Sequence, residues 1–135
     1  MSFNPKKQLA QFLAEDTGKG DITSALLSKK IISVNIISRE NAIIAGTKYA
    51  KEIFALKGCK SRIIIKDGLA IKPNQIIMKV TGNADKILTC ERTALNIITR
   101  MSGIATQTNQ LVKKIPKKTK LYATRKTAPG LRYFD

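Results

Sequence analysis

Apolar residues recur along this chain with two spacings, one helical and one strand-like, and together they predict a mixed α+β fold. Helical spacing predicts a first helix from Phe3 to Ala14 and a second from Thr47 to Lys57. Gly46 and Gly58 flank the second helix, and glycine is the usual residue just beyond a helix C-terminus.

Runs of β-branched residues predict the strands. Ile31–Ile37 and Ala42–Ala45 are expected to form one bent strand or a hairpin, because Arg39, Glu40 and Asn41 lie between them and place charge at the turn. Two further strands are predicted at Ile63–Ile65 and Ile76–Val80. The turn pairs Asp67-Gly68 and Pro73-Asn74 lie between them.

An unusually long helix is predicted from the cap residue Asn83 to Ile115, where Pro116 ends it. Gly103 lies in its middle, and we expect a kink or close packing at Ser102-Gly103. A short strand at Leu121-Tyr122-Ala123 is then expected to lead into the last residues of the sequence.

The net charge suggests a class of binding partner but does not decide it. The chain has 135 residues, enough for one ordinary domain, and 43% of them are hydrophobic, so a folded core is expected. Its 25 Lys and Arg against 9 Asp and Glu give a net charge of +16, which suits polyanionic partners. The basic pairs are scattered, however, and only 5% of residues are aromatic, with no Trp to stack on bases. A solvated lysine-rich surface is therefore favoured over nucleic-acid binding.

Two cysteines, Cys59 and Cys90, are expected to be reduced core thiols. Because the sequence has no histidine, neither a zinc site nor a Cys-His pair can be drawn from it, and we expect no metal ligands here. The amino-terminal residues lack the apolar stretch of a signal peptide, and no run approaches the length of a membrane span. A cytoplasmic protein without membrane contact is the expectation.

Three segments are candidates for chemistry. Arg125 and Lys126, adjacent and followed by the turn pair Pro129-Gly130, suit an anion site, with a solvated basic turn as the alternative. Arg92 is placed near the apolar face of the long helix, where an ion pair with Glu91 or extension to the surface is the alternative to ligand binding. The acidic glycine loop of residues 15–23 is expected to be a capped turn, or else a cation site.

Residues 91–96 and 124–132 together resemble the quinolinate phosphoribosyltransferases, also called carboxylating nicotinate-nucleotide pyrophosphorylases. The resemblance continues through other motifs in the same order along the chain: Glu15–Ser24, Arg39–Gly46, Asp67-Gly68 and Ser102–Thr106. One departure is Ala123, where many members have a polar or acidic residue.

The resemblance implies an amino-terminal α/β sandwich domain over residues 1–115, which includes the long linking helix. The first strand of a truncated α/β barrel would follow over residues 116–135. Family members are roughly twice as long, so the chain is expected to be a fragment that is inactive alone, with the remaining catalytic groups beyond Asp135. The alternatives are a small basic nucleic-acid-binding module, or an inactive partner that lends Arg92 to a full-length subunit.

The implied reaction joins quinolinate to phosphoribosyl pyrophosphate and releases nicotinate mononucleotide, pyrophosphate and CO2 in NAD biosynthesis. Mg²⁺ would accompany the phosphoribosyl pyrophosphate, with its ligands outside this chain. By the same resemblance, Thr124, Arg125 and Lys126 bind substrate, and Arg92 reaches the site of the neighbouring subunit in a homodimer.

Overall fold

The computed structural model describes residues 4–18 and 30–135, and their elements follow one another in a mixed order of helices and strands. These are α1 (Pro5–Thr17), β1 (Ile31–Ile37), β2 (Ala42–Ile43), α2 (Thr47–Leu56), β3 (Lys60–Ile63), β4 (Ala70–Ile71), β5 (Ile76–Asn83) and α3 (Ala84–Lys114). The predicted α+β class is confirmed. Phe3 and residues 19–23 of the acidic glycine loop lie outside the described residues.

The described strands form a three-stranded antiparallel sheet in the order β1-β5-β3 and a separate pair, β2-β4. Val80, in the centre of β5, lies opposite Val34 of β1 and Ser61 of β3. Val80 is fully buried, whereas its neighbours Lys79 and Thr81 are exposed, so one face of the sheet packs on the core and the other meets solvent.

The predicted bent strand or hairpin between β1 and β2 is wrong. β1 pairs with β5, and β2 pairs with β4, so the two segments belong to different sheets. The charged residues between them end the first strand, and each strand finds its partner much further along the chain. Pairing over such sequence distances cannot be read from local spacing.

α2 begins where the sequence predicts, because the backbone at Gly46 and the side chain of Asp67 both favour a helix start there. Gly46 has φ 89°, a conformation that glycine adopts readily. The Asp67 carboxylate accepts hydrogen bonds from the backbone N–H of Gly46 and of Thr47, both at 3.0 Å, and from the Thr47 hydroxyl at 2.6 Å. These bonds satisfy amides that a helix start leaves without partners.

α3 runs unbroken from Ala84 to Lys114, as the sequence predicts. The expected close contact at Ser102-Gly103 is confirmed at Ser102, whose hydroxyl accepts from Ala45 N at 3.0 Å and donates to Ala45 O at 3.2 Å. Thr106 acts similarly, accepting from Ile43 N at 2.9 Å. At Gly103 itself, an added Cβ would meet no atom within 4 Å.

Both cysteines are buried free thiols, as expected. Burial raises the pKa of Cys90 to about 12, and its Sγ lies 3.5 Å from Ile53 O. No helix in the described ranges combines the length and apolarity that a membrane span requires.

Residues 121–123 are not a strand, contrary to the prediction. No described strand pairs with them, so they lack the hydrogen bonds that define one. The chain then turns back onto the domain, and Phe134 is 1% exposed. The Phe134 ring lies 5.1 Å from the Tyr49 ring and 5.6 Å from the Phe12 ring, between α2 and α1.

Candidate substrate-binding site

Arg92 lies on the exposed side of α3, and not near the core as its sequence neighbours suggest. Leu88, one turn earlier, is 36% exposed, whereas Ala94 is fully buried and Ile98 is 5% exposed. The buried stripe is therefore offset from the one expected. Within the described part of the chain, Arg92 forms no ion pair or hydrogen bond, so the internal pair with Glu91 is not observed, whereas the alternative of extension to the surface is.

The next residues of the 91–96 motif are structural. Thr93 is 2% exposed, and its hydroxyl donates to Asp16 Oδ2 at 2.5 Å, which links α3 to the last turn of α1. Ala94 is fully buried against the core. The motif therefore combines one cation directed to the outside with two residues that fix the helix to its neighbours.

Thr124, Arg125 and Lys126 are all exposed and form a turn, here called the 124–126 turn. Lys126 N donates to Thr124 Oγ1 at 3.4 Å, and Thr127 N donates to Arg125 O at 3.1 Å. The backbone is therefore not extended there, which lets adjacent side chains serve one ligand instead of pointing to opposite faces. The Arg125 and Lys126 side chains have no partner among residues 4–18 and 30–135.

Residues 124–135, here called the returning segment, are fastened to the domain at three places. Phe134 fills the aromatic site between α1 and α2. Gln8 of α1 donates through Nε2 to Gly130 O. Asp135 accepts at Oδ1 from Arg100 Nε at 2.6 Å and at Oδ2 from the backbone N–H of Ala128 at 2.8 Å.

The contact between Arg100 and Asp135 shifts the pKa of both side chains. The hydrogen bond from Arg100, followed by the one from Ala128 N–H, lowers the pKa of Asp135. The same contact raises the pKa of Arg100. No sequence pattern indicates this pair, because 35 residues separate the partners and neither belongs to a recognised motif. The charge complementarity alone does not select Asp135 among the other acids.

Arg92 lies on α3, whereas the 124–126 turn lies on the returning segment. Arg92 precedes Arg100 by eight residues, which is about 12 Å along the helix axis. The structure thus presents two unpaired cationic surfaces, one on α3 and one on the returning segment.

Comparison with known proteins identifies the scaffold. The family model described as "Quinolinate phosphoribosyl transferase, N-terminal domain" matches residues 21–102. The chain belongs to this family. The matched range contains Arg92, while the 124–126 turn lies beyond it.

Two curated quinolinate phosphoribosyltransferase relatives are named probable nicotinate-nucleotide pyrophosphorylase [carboxylating]. The one from Archaeoglobus fulgidus is 39% identical over 119 residues, which are 86% of this chain and 45% of the relative. The one from Bacillus subtilis is 37% identical over 134 residues, which are 96% of this chain and 46% of the relative. The chain thus spans about half the length of these relatives.

Solved structures of nicotinate-nucleotide pyrophosphorylases have the same fold. The protein from Francisella tularensis superposes with a TM-score of 0.89 at 37% identity, covering 96% of this chain and 49% of that one. The protein from Ehrlichia chaffeensis gives a TM-score of 0.90 at 35% identity, covering 100% of this chain and 51% of that one. The predicted membership of the quinolinate phosphoribosyltransferase family is confirmed.

Proposed function

We propose that this chain provides the quinolinate-binding residues of a carboxylating nicotinate-nucleotide pyrophosphorylase. The reaction would join quinolinate to phosphoribosyl pyrophosphate and release nicotinate mononucleotide, pyrophosphate and CO2. The observation that carries the proposal is that Arg92 and Arg125 are both exposed and unpaired within the described residues of a fold that the named relatives share. We also propose a cytoplasmic location, as for a soluble biosynthetic enzyme.

The chemistry of quinolinate fits these side chains. Its two carboxylates make it a dianion, and a guanidinium binds a carboxylate through two parallel hydrogen bonds. In the proposed site Arg125 binds one carboxylate, Thr124 donates its hydroxyl, and Lys126 supplies a compact positive charge toward the carboxylates or the departing pyrophosphate. No proton transfer is assigned to these residues.

Arg92 is proposed to reach the site of a neighbouring copy in a homodimer. Its exposure and its lack of a partner among the described residues support donation to a second chain. Leu88, one turn before it on the same helix, is 36% exposed, and Ile104, about three turns after it, is 37% exposed. Further along, Leu111 is 53% exposed and Leu121 is 49% exposed, which a second subunit would cover.

Mg²⁺, when bound, would neutralise the pyrophosphate group of phosphoribosyl pyrophosphate. Among the described residues, no three His, Cys, Asp or Glu side chains lie close enough together to bind one ion. We assign no Mg²⁺ ligand to the described residues. Because the relatives are about twice as long, we propose that these 135 residues bind quinolinate but do not convert it alone.

Calorimetric titration with quinolinate tests the binding proposal. Arg125→Ala is expected to weaken binding about ten- to hundredfold, the effect of losing a charge-assisted hydrogen-bond pair. Arg62→Ala is the matched control, because Arg62 is an exposed arginine on the open face of the sheet. Equal affinity for the wild type and Arg125→Ala would contradict the proposal.

A separate incubation with quinolinate, phosphoribosyl pyrophosphate and Mg²⁺ is expected to yield no nicotinate mononucleotide.

A further inference from the structure

We propose that Arg100 and Asp135 are positioning residues that hold the 124–126 turn in the shape that binds quinolinate. The inference rests on the proposed function and concerns residues outside the predicted substrate-binding set. Neither residue is assigned a contact with substrate. Each would act through the backbone of the returning segment.

The two oxygens of Asp135 connect a rigid helix to the turn. Oδ1 accepts from Arg100 on α3 at 2.6 Å, and Oδ2 accepts from Ala128 N at 2.8 Å. Ala128 O in turn accepts from Leu131 N at 3.0 Å, closing a turn at Pro129-Gly130. One carboxylate therefore fixes both ends of residues 128–135 against the helix.

Further hydrogen bonds lie just before Ala128, among the proposed substrate-binding residues of the 124–126 turn. Thr127 N donates to Arg125 O at 3.1 Å, and Lys126 N donates to Thr124 Oγ1 at 3.4 Å. Because these bonds lie within a few residues of Ala128, a shift of its amide changes the direction of Arg125. Among the described residues, Thr124, Arg125 and Lys126 have no hydrogen bond or ion pair to the rest of the domain.

Asp135, where the returning segment attaches to α3, is itself held in place by its buried neighbour Phe134. Phe134 is 1% exposed and packs against aromatic rings of α1 and α2, so the residue next to it has little freedom. The Asp135 side chain is 10% exposed beside Arg100. Arg100 also lies about two helical turns from Arg92, so one helix carries one substrate arginine and supports the segment that carries the other.

Prior ordering of this kind raises affinity, because a flexible turn would otherwise lose conformational freedom when the ligand binds. A residue that only stabilised the fold would affect unfolding without a selective effect on the 124–126 turn. The two roles can therefore be separated by measuring local backbone order and global stability in the same variants.

The experiment uses the full 135-residue chain. Amide ¹⁵N relaxation and hydrogen exchange of residues 124–128 are measured without ligand, and quinolinate affinity is measured by calorimetry. Asp135→Asn and Arg100→Gln are expected to raise the mobility of these amides and to weaken quinolinate binding roughly three- to tenfold. Asp135→Glu, which keeps both acceptor oxygens, is expected to restore most of the order.

Two further variants distinguish positioning from general stability. Ser38→Ala removes hydroxyl contacts to Lys72 and Gln75 away from the returning segment, and should lower the melting temperature without loosening residues 124–128. The charge swap Arg100→Asp with Asp135→Arg restores an ion pair but gives Ala128 N–H no acceptor. It should recover stability but not the order of the 124–126 turn.

Unchanged amide mobility in Asp135→Asn would overturn the inference, as would full recovery of order in the charge swap. If the wild type fails to bind quinolinate, the proposed function fails, and the claim that these residues position a quinolinate site fails with it. The amide measurements need no ligand, so they still decide whether Arg100 and Asp135 order the turn.

Discussion

Arg100 and Asp135 are joined by a 2.6 Å hydrogen bond from Nε to Oδ1, across 35 residues of sequence. The bond connects the middle of the longest described helix to the segment that carries Thr124, Arg125 and Lys126. Because the same carboxylate also accepts from Ala128 N, its ionised form stabilises the returning segment.

The contribution of Asp135 to stability is expected to depend on pH. Its native pKa is lowered, mainly by Arg100, so its stabilising effect is fully present above the unfolded-state pKa of about 3.9 and is lost as the pH falls through the native pKa. Unfolding followed by circular dichroism between neutral and strongly acidic pH should show the wild type and Asp135→Asn converging in acid. A difference that stays constant across this range would argue against the assignment.

Removing the hydroxyl of Thr93 should destabilise the fold without affecting ligand contacts. Thr93→Val keeps the buried shape but loses the 2.5 Å hydrogen bond to Asp16, at an expected cost of about 1 kcal/mol in the free energy of unfolding. Thr93→Ser keeps the donor and is the control. Denaturant titration measures both, and equal losses in the two variants would show that the methyl group matters more than the hydrogen bond.

Gly82 is required because β5 passes very close to Cys59. A Cβ at Gly82 would lie 2.7 Å from Cys59 Sγ, so Gly82→Ala should cost about 1–3 kcal/mol. Adding Cys59→Ala removes the sulfur but leaves the contacts to Cβ at 3.1 Å and to Cα at 3.3 Å, so the double variant should recover only part of the loss. If the loss of unfolding free energy in the double variant equals the sum of the losses in the two single variants, a direct contact between the Gly82→Ala methyl group and Cys59 Sγ is contradicted.

Cys90 should resist thiol reagents in the folded protein. The side chain is fully buried, and the raised pKa of about 12 leaves almost no thiolate at neutral pH. Labelling with a maleimide, followed by peptide mass spectrometry, should modify Cys90 only when denaturant is added. Rapid labelling under native conditions would mean that the core around α2 and α3 opens readily.

Local signals in the sequence predict much of this fold, and long-range pairings account for most of what they do not predict. The ends of α2 follow from the sequence because Gly46 and Gly58 act on their own neighbours. The partners of β1 and β2 do not, since they depend on residues far along the chain. The strand expected at residues 121–123 needs a neighbouring strand that the described chain does not supply.

In the candidate site, too, local sequence indicates the residue types, whereas their tertiary positions do not follow from it. The residue types of the 124–126 turn suit an anion site, but they suit a solvated basic turn equally well, so the site stays a prediction. The exposed position of Arg92 does not follow from local spacing, because counting Leu88 as a core residue rotates the expected buried face of α3. The pairing of Asp135 with Arg100 is equally hidden, because neither residue has a local pattern that marks a tertiary contact.

The central claim is that each quinolinate site combines Arg125 of one chain with Arg92 of another. The most direct test mixes Arg92→Ala chains with Arg125→Ala chains, after unfolding and refolding them together, and measures quinolinate binding by calorimetry. Each variant alone should bind weakly. Mixed dimers contain one site with both arginines, so the mixture should regain high-affinity binding at a fraction of the wild-type stoichiometry. A mixture that binds no better than its separate components would contradict the shared site.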